Sequence, residues 1–490
     1  MSNSLHHLSD LPAALAWLRE RAATGALRTD SRQVQPGDIF IAWPGAAADG
    51  RAFVAQAVQQ GAAACLVEQA GAQAFACGDE RIASFAGLKA ATGLLAAQWY
   101  GQPSQRLRTL AVTGTNGKTS TAWWLAHALP RCAMVGTLGV GVAPDFTSTG
   151  MTTPDPVLLQ AAFSDFVARG AEQCAIEASS IGIVEQRLAG TAIDTAIFTN
   201  FTQDHLDYHG SMAAYWQAKA QLFDWPGLRV AVVNVDDAQG RELAQTLALR
   251  KEIDLWTVAL QHPARLRAED ITHTDQGLAF TVVEGAERLP MQTALIGHYN
   301  ISNLLGVLAT LRGQGLSLEQ AVAACARLQP VPGRMQQIAE AGQPLVAVDY
   351  AHTPDALVQA LAALRPLAQA RGGKLWCVFG CGGNRDAGKR PLMGAAAAQG
   401  ADAVLVTSDN PRLEDPQTII GHVLAGMPAD TPYELDRAAA IAQAVAAADA
   451  RDVLLLAGKG HEDYQDAQGV KRPFSDMQEA RRAVQARQGK

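Results

Sequence analysis

Residues 107–120 read LRTLAVTGTNGKTS, and this stretch decides the fold. A mostly apolar run, Leu110 to Val112, ends at Thr113 and Gly114. A helical pattern, TAWWLAHAL, takes over at Thr121. A buried strand that ends in glycine and opens directly into a helix is the setting of a phosphate-binding loop. Gly114 and Gly117 allow backbone N–H groups to come close to phosphate oxygens. Lys118 can neutralise terminal phosphates, and the Thr119 hydroxyl can ligate Mg²⁺. The spacing departs from the general phosphate-loop pattern, which wants glycine where Val112 stands. Strand, paired glycines, lysine, hydroxyls and helix nonetheless agree on one reading.

The same alternation extends outward. AEQCAIEASS (171–180), TAIDTAIFTN (191–200) and LRVAVVNVDD (228–237) are short strand-like runs. Helical patterns such as AAYWQAKAQLF (213–223) fall between them. Short apolar strands alternating with helices predict an α/β fold with a mainly parallel sheet. A phosphate loop also needs a metal-binding acid at another strand end. Glu177 directly follows one apolar run, and Asp204, His205, Asp207 and His209 follow another. Mg²⁺ prefers oxygen ligands, so spacing alone reads His205 as a loop residue. Lys219, taken alone, reads as a solvated lysine.

The chain has 490 residues, which suggests about three domains. We expect boundaries at 1–105, 106–332 and 333–490. QWYGQPSQRLRT (98–109) reads as a linker, and RLQPVPGRMQ (327–336) as a second hinge. The N-terminal part holds TDSRQVQPGDIFIA and GAAACLVE, short strands separated by turn residues. The last part repeats one device four times, an apolar run ending in a polar or glycine-rich loop: PLVAVDYAHTPDA, LWCVFGCGGNRDAGKR, ADAVLVTSDNPR and VLLLAGKGHEDY. Ligands of open α/β sheets sit at the carboxyl ends of strands, so four such loops predict one shared site.

Composition narrows the partners. Hydrophobic residues make up 48% and charged residues 18%, enough apolar content for sizeable cores. The net charge is −7 and no long Lys/Arg block stands out, so nucleic acid and acidic membranes are not expected partners. No apolar run has the length of a membrane span, and the N-terminus does not read as a signal peptide. Seven scattered cysteines without a CxxC pair suit reduced thiols in the cytoplasm. Cys174 and Cys377 read as core residues.

TGTNGKTS, EASS, TNFTQDHLDYHG, AKAQLF, GHYNISN, PGRM, DYAHTPDAL and GKGHEDY occur in one order across nearly the whole chain. Together they resemble the Mur ligase family, whose relatives include folylpolyglutamate synthetases. TDSR (29–32), MTTPD (151–155), DNPR (409–412) and GKGHEDYQ resemble the members that add the third residue to the peptide of UDP-N-acetylmuramic acid. The resemblance implies an N-terminal UDP-binding α/β domain, a central P-loop ATPase domain and a C-terminal Rossmann-like domain. It implies an ATP- and Mg²⁺-dependent amide ligase in peptidoglycan precursor synthesis, acting on small molecules as a monomer through an acyl phosphate.

Site residues follow the same resemblance. ATP falls to Gly114, Thr115, Asn116, Gly117, Lys118, Thr119, Ser120, Asn300, Asn303, Arg334, Asp349 and His352, with Tyr350 nearby. Metal falls to Thr119, Glu177, His205 and Lys219, the last as a carbamate. Lys118, Glu177, His205 and Lys219 are the catalytic set. The UDP-linked substrate, UDP-N-acetylmuramoyl-L-alanyl-D-glutamate, falls to Ser31, Thr152, Thr153, Ser179 and Arg187. One departure stands: Ile181 and Glu185 replace the histidine and glutamine common in the family.

The resemblance assigns the acceptor amino acid to Arg385, Asp409, Asn410, Pro411, Arg412, Gly458 and Glu462. meso-Diaminopimelate carries a far carboxylate that L-lysine lacks, and an arginine fork binds a carboxylate through two parallel hydrogen bonds. Arg412 therefore favours diaminopimelate. The competing expectations are a lysine-adding relative, a folylpolyglutamate synthetase-like ligase and an NTPase that drives a partner.

Overall fold

The computed structural model describes residues 5–45, 48–75, 77–274 and 277–488. The chain forms two compact units, one from 1–113, 129–196 and 218–229, the other from 114–128, 197–217 and 230–490.

The first unit contains a five-stranded sheet in the order His6–Leu8, Ile82–Phe85, Ala64–Glu68, Ile39–Ala42 and Leu27–Arg28. Every neighbouring pair is parallel. Alternate residues of one strand feed opposite faces, as the period of two requires. Ile39, Ile41 and Leu66 pack with Leu15, Leu18 and Leu95, whereas Phe40, Ala42, Cys65 and Val67 pack with Val54 and Ala57. The TDSR segment becomes a short 3₁₀ turn, Ser31–Gln33, capped by the Asp30 side chain. The stretch 98–109 holds the end of helix Leu88–Trp99, a 3₁₀ turn at Pro103–Arg106 and the start of the next strand.

That strand, Arg108–Thr113, lies parallel to Gln173–Glu177, which lies parallel to Cys132–Gly136. Gly139–Val142 and Asp145–Thr147 continue the sheet antiparallel. All three parallel strands are almost wholly buried, which explains their continuous apolar runs.

In the second unit Val230–Asn234, Asp254–Ala259 and Leu266–Thr274 run parallel. Gly277–Glu284 and Glu287–Thr293 then reverse direction. The expected parallel arrangement thus carries antiparallel strands at its edge.

The C-terminal sheet has the order Gln336–Ile338, Leu345–Asp349, Val453–Ala457, Leu375–Phe379, Ala403–Thr407 and Tyr433–Glu434. Only Gln336–Ile338 is antiparallel. Helices cover both faces. Pro354–Arg371, Lys389–Gly400 and Pro416–Leu424 pack on one through Leu357, Leu361, Met393 and Ile420. Arg437–Ala447 and Asp476–Gln488 pack on the other through Ile441, Val445, Ala480 and Val484. Thr353, Asp415 and Asp436 cap three of these helices with side-chain oxygens. The four parallel strands anticipated from sequence therefore end along one edge, and their loops converge there.

Six of the seven cysteines are buried and Cys77 is half-buried; all are free thiols. Burial pushes the Cys377 thiol up to about 12, so it is inert at neutral pH. Among the described residues no helix is long and apolar enough to cross a membrane.

Candidate functional site

The phosphate loop opens helix Lys118–Ala128. Gly114 has φ +146° and Gly117 has φ +86°. A Cβ at Gly117 would run into the Asn303 side chain, and one at Gly114 into Thr199. Both positions thus need glycine for conformation and for space. Lys118 folds back over the loop and donates to the carbonyls of Gly114 and Thr115 at 2.9 and 2.8 Å. Asn200 grips Asn116 from both sides: its side-chain oxygen accepts from the Asn116 N–H, and its amide donates to the Asn116 carbonyl. Thr199 donates to the same carbonyl at 2.6 Å. Thr115 donates to the Thr202 carbonyl and meets the Tyr215 hydroxyl at 3.2 Å. The segment 199–202 therefore braces the loop, a task the sequence reading does not assign to it. TNFT is visible as a strand end, but bracing is a tertiary contact between segments distant in the chain.

Further residues assigned to ATP gather around the loop. Arg334 donates to the Thr119 hydroxyl at 3.2 Å and stacks 4.5 Å from the Tyr350 ring centre. Asn303 lies against Gly117, and Asn300 donates to the Ile296 carbonyl. Asp349, at the end of its strand, accepts from the Met335 N–H. Its burial raises the carboxyl above the usual range, against the pull of Arg334 and backbone N–H groups.

Asp204, one of the strand-end acids offered as a candidate for the metal but left out of the set that the resemblance assigns, is a buried hub. Its carboxylate lies 3.5 Å from His205, 3.7 Å from His352 and 3.7 Å from Lys389. Burial opposes its ionisation. The His352 hydrogen bond and the charges of His352, His205 and Lys389 outweigh that, holding the carboxyl far below the usual range. His205 has φ +53° and donates its backbone N–H to Asp204.

In the first unit, Glu177 is buried at the end of its strand. One of its carboxylate oxygens accepts the Thr137 N–H at 2.7 Å. Gly136 makes room for that carboxylate, since a Cβ there would collide with it. Thr137 and Thr152 hydroxyls meet at 3.0 Å. Thr153 donates to the Glu177 carbonyl and meets Ser179 at 2.9 Å. Arg187 donates to the Thr153 carbonyl at 2.9 Å. Thr152, Thr153, Glu177, Ser179 and Arg187 thus form one network. Ser31 is buried elsewhere in the unit, beside Gln56. Asp155 links the two regions: Thr29 bonds its carboxylate, Arg187 attracts it, and it caps helix Pro156–Ala168. Glu185, the departure from the family pattern, is paired with Lys89 at 2.6 Å.

Lys219 corrects its reading as a solvated lysine. Its side chain is about as buried as any in the protein, at 1% exposure. It stands four residues after buried Tyr215 on helix Met212–Ala220, so the two share a helical face.

At the C-terminal strand ends, Asp409, Asn410, Gly458 and Glu462 come together around Lys459. This lysine is fully buried, and the sequence reading passes over it. It donates to the Asn410 oxygen at 3.0 Å and to Glu462 at 3.1 Å, and lies 3.6 Å from Asp409. Asn410 donates its amide to Glu462 at 2.7 Å. Gly458, at φ +114°, has no room for a Cβ beside Asp409. Arg412 has φ +52° and donates to the Gly383 carbonyl at 2.7 Å. Arg385 and Arg412 both border Gly382, and Pro411 backs Gly383. The strand-end loops thus carry two arginines, Arg412 on the Gly383 carbonyl and Arg385 on the Asn384 carbonyl, and two carboxylates, Asp409 and Glu462, gathered on Lys459. Among the described residues no three His, Cys, Asp or Glu side chains form a metal-holding group.

Three family descriptions match: the Mur ligase family catalytic domain over residues 25–108, the Mur ligase middle domain over 112–311, and the Mur ligase glutamate ligase domain over 333–460. The chain is 64% identical to an Acidovorax UDP-N-acetylmuramoyl-L-alanyl-D-glutamate–2,6-diaminopimelate ligase, with 99% of each chain covered. A solved structure of a ligase of that name aligns at TM-score 0.66 and 36% identity, covering 94% of this chain and 95% of the other. MurF ligase from Thermotoga maritima, solved with ADP, shares the fold at TM-score 0.67 and 18% identity, covering 95% and 98%.

Proposed function

The chain belongs to the Mur ligase family, and from that premise we propose that it joins meso-diaminopimelate to UDP-N-acetylmuramoyl-L-alanyl-D-glutamate at the expense of ATP. The observation that carries this reading is the strand-end cluster of Arg412, Arg385, Asp409, Asn410 and Glu462. Arginine there suits the far carboxylate of diaminopimelate, and Glu462 suits an ammonium.

The chemistry must overcome a poor electrophile. The free carboxylate of the substrate's D-glutamate attacks the γ-phosphorus of ATP, and ADP leaves. The resulting acyl phosphate carries a good leaving group. The acceptor amine attacks its carbonyl, and the tetrahedral intermediate expels phosphate and yields the amide. Catalysis here is mainly positioning and charge neutralisation. The loop N–H groups and Lys118 hold the phosphates, with Lys118 exchanging its loop carbonyls for phosphate oxygens. Arg334, beside Thr119, adds a second cation. Thr152, Thr153, Ser179 and Arg187 orient the muramoyl peptide, and Ser31 lies toward the uridine.

Of the residues that the resemblance assigns to Mg²⁺, the Thr119 hydroxyl in one unit and the Glu177 carboxylate in the other are hard oxygen donors of the kind the ion prefers. Lys219 fits that set only as a carbamate, which replaces an ammonium by oxygen donors, and its near-complete burial suits a modified side chain better than a solvated one. His205 would serve a second ion. Bound magnesium supplies charge neutralisation at the phosphates. Three domains, 1–105, 106–332 and 333–490, divide the work among UDP-linked substrate, ATP and acceptor, and each family match falls within or close to one of them. The enzyme works as a cytoplasmic monomer.

Labelling the reacting D-glutamate carboxylate with heavy oxygen tests the acyl phosphate. One labelled oxygen should appear in each phosphate released. Unlabelled phosphate would mean that water attacks ATP directly, and the ligase reading would fail.

A further inference from the structure

We propose that Arg437, locked by Asp476, is a positioning residue that sets the geometry of the acceptor site. The proposal rests on the reading of the C-terminal strand-end loops as that site.

Arg437 opens helix Arg437–Ala447 and is fully buried, as is Asp476 at the start of helix Asp476–Gln488. Two parallel bonds of 2.7 Å join its Nε and Nη2 to the two Asp476 oxygens. The fork has donors left over, and they go to two backbone carbonyls. Nη2 reaches Ala457 at 2.9 Å, and Nη1 reaches Ser408 at 3.3 Å. These carbonyls close two different strands, Val453–Ala457 and Ala403–Thr407. The two strands are not neighbours, because Leu375–Phe379 lies between them. One guanidinium therefore ties together two strand ends at the carboxyl edge of the sheet.

The loops beyond these two carbonyls give the tie its meaning. Ser408 is succeeded by Asp409–Arg412, and Ala457 by Gly458–Glu462. The two loops meet through contacts of narrow tolerance. Lys459 must reach Asn410 and Glu462 at once, and Gly458 abuts Asp409 without room for a Cβ. A small shift of either strand end would part Asn410 from Glu462. A buried ion pair alone is a poor source of stability, since apolar residues of similar volume often replace one without loss. Its retention here fits a demand for orientation that only a rigid, five-donor fork meets. Lysine, with one nitrogen, cannot serve Asp476 and both carbonyls together.

The test compares Arg437→Lys and the paired substitution Arg437→Met with Asp476→Leu, using Arg412→Ala as the control for the site itself. Michaelis constants are measured for meso-diaminopimelate, ATP and the UDP-linked dipeptide. Both Arg437 variants should raise the constant for diaminopimelate by about tenfold or more and leave that for ATP within about twofold. A folded Arg437 variant with wild-type diaminopimelate affinity overturns the proposal. So does a uniform rise for all three substrates, or failure of both variants to fold, since either assigns the pair to general stability. If Arg412→Ala leaves diaminopimelate use unchanged, the acceptor-site reading itself is rejected. If Arg412→Ala impairs it while Arg437→Lys does not, only the positioning role falls.

Discussion

Replacing Lys459 with methionine probes the buried charge cluster at the C-terminal strand ends. The lysine Nζ makes two charge-assisted hydrogen bonds, of 3.0 and 3.1 Å, and one ion pair at 3.6 Å. Hydrogen bonds to a charged group contribute roughly 1.5–3 kcal/mol each. Breaking a buried pair by removing one partner costs about 3–5 kcal/mol, because the remaining charge is left uncompensated. The two estimates agree, and they apply here because Asp409 and Glu462 would be left facing each other without their shared cation. Methionine nearly matches the stem, so the loss is electrostatic rather than steric. At roughly 2–4 °C per kcal/mol for a domain of this size, the melting transition should fall by about 10 °C. Adding Glu462→Gln should restore part of that loss, because it removes one of the stranded charges. Differential scanning calorimetry of the two variants, with acceptor kinetics alongside, reads both effects. A Lys459→Met protein that melts within about 2 °C of wild type and uses diaminopimelate normally would overturn this electrostatic picture of the cluster.

Three further outcomes are expected. Burial and the nearby Arg334 charge hold His461 down to about 4 from the ordinary 6.5. Between those values the unfolded chain binds a proton that the folded chain refuses, so this group's contribution is full above about pH 6.5 and shrinks as pH falls toward about 4. The whole shift corresponds to about 3 kcal/mol, and His461→Gln should flatten the acid side of the stability profile in urea titrations; parallel profiles would contradict it. Gly117→Ala forces a side chain into φ +86° against Asn303, a strain of about 1–3 kcal/mol, and should raise the Michaelis constant for ATP at least tenfold or so; an unchanged constant would contradict the loop geometry. Lys219→Ala should abolish turnover and regain part of it when a short carboxylate such as acetate is added, whereas absence of rescue would argue against a carbamate.

Much of this architecture is legible in the sequence. The phosphate loop and the four C-terminal strand ends stand out because a buried parallel strand leaves an unbroken apolar run, and its ligand-binding loop begins where the run stops. What stays hidden is made by contacts between distant segments. Lys459 stands between two glycines that draw attention for their backbone, and its partner Asn410 is 49 residues away. Arg437 looks like one more charge at a helix start, and only the fold brings Asp476 and two strand ends to it. Lys219 is misread because charge alone suggests solvent, while its helical face is shared with buried Tyr215. Asp204 goes unassigned because His205 beside it has the stronger resemblance. Of the antiparallel strands, Glu287–Thr293 lacks a strong apolar run because exposed residues alternate along it, while Gly277–Glu284 carries one, LAFTVV, that does not reveal its direction.

An enzyme with this acceptor site should spend ATP only when diaminopimelate and the UDP-linked dipeptide are both in place. Phosphate release from ATP, measured with UDP-N-acetylmuramoyl-L-alanyl-D-glutamate and either meso-diaminopimelate or L-lysine, decides whether it does. Release is expected with diaminopimelate and little with lysine. Release with lysine instead would keep the ligase and overturn the role of Arg412, and release indifferent to both acceptors would mean that the chain is not an amide ligase of this kind.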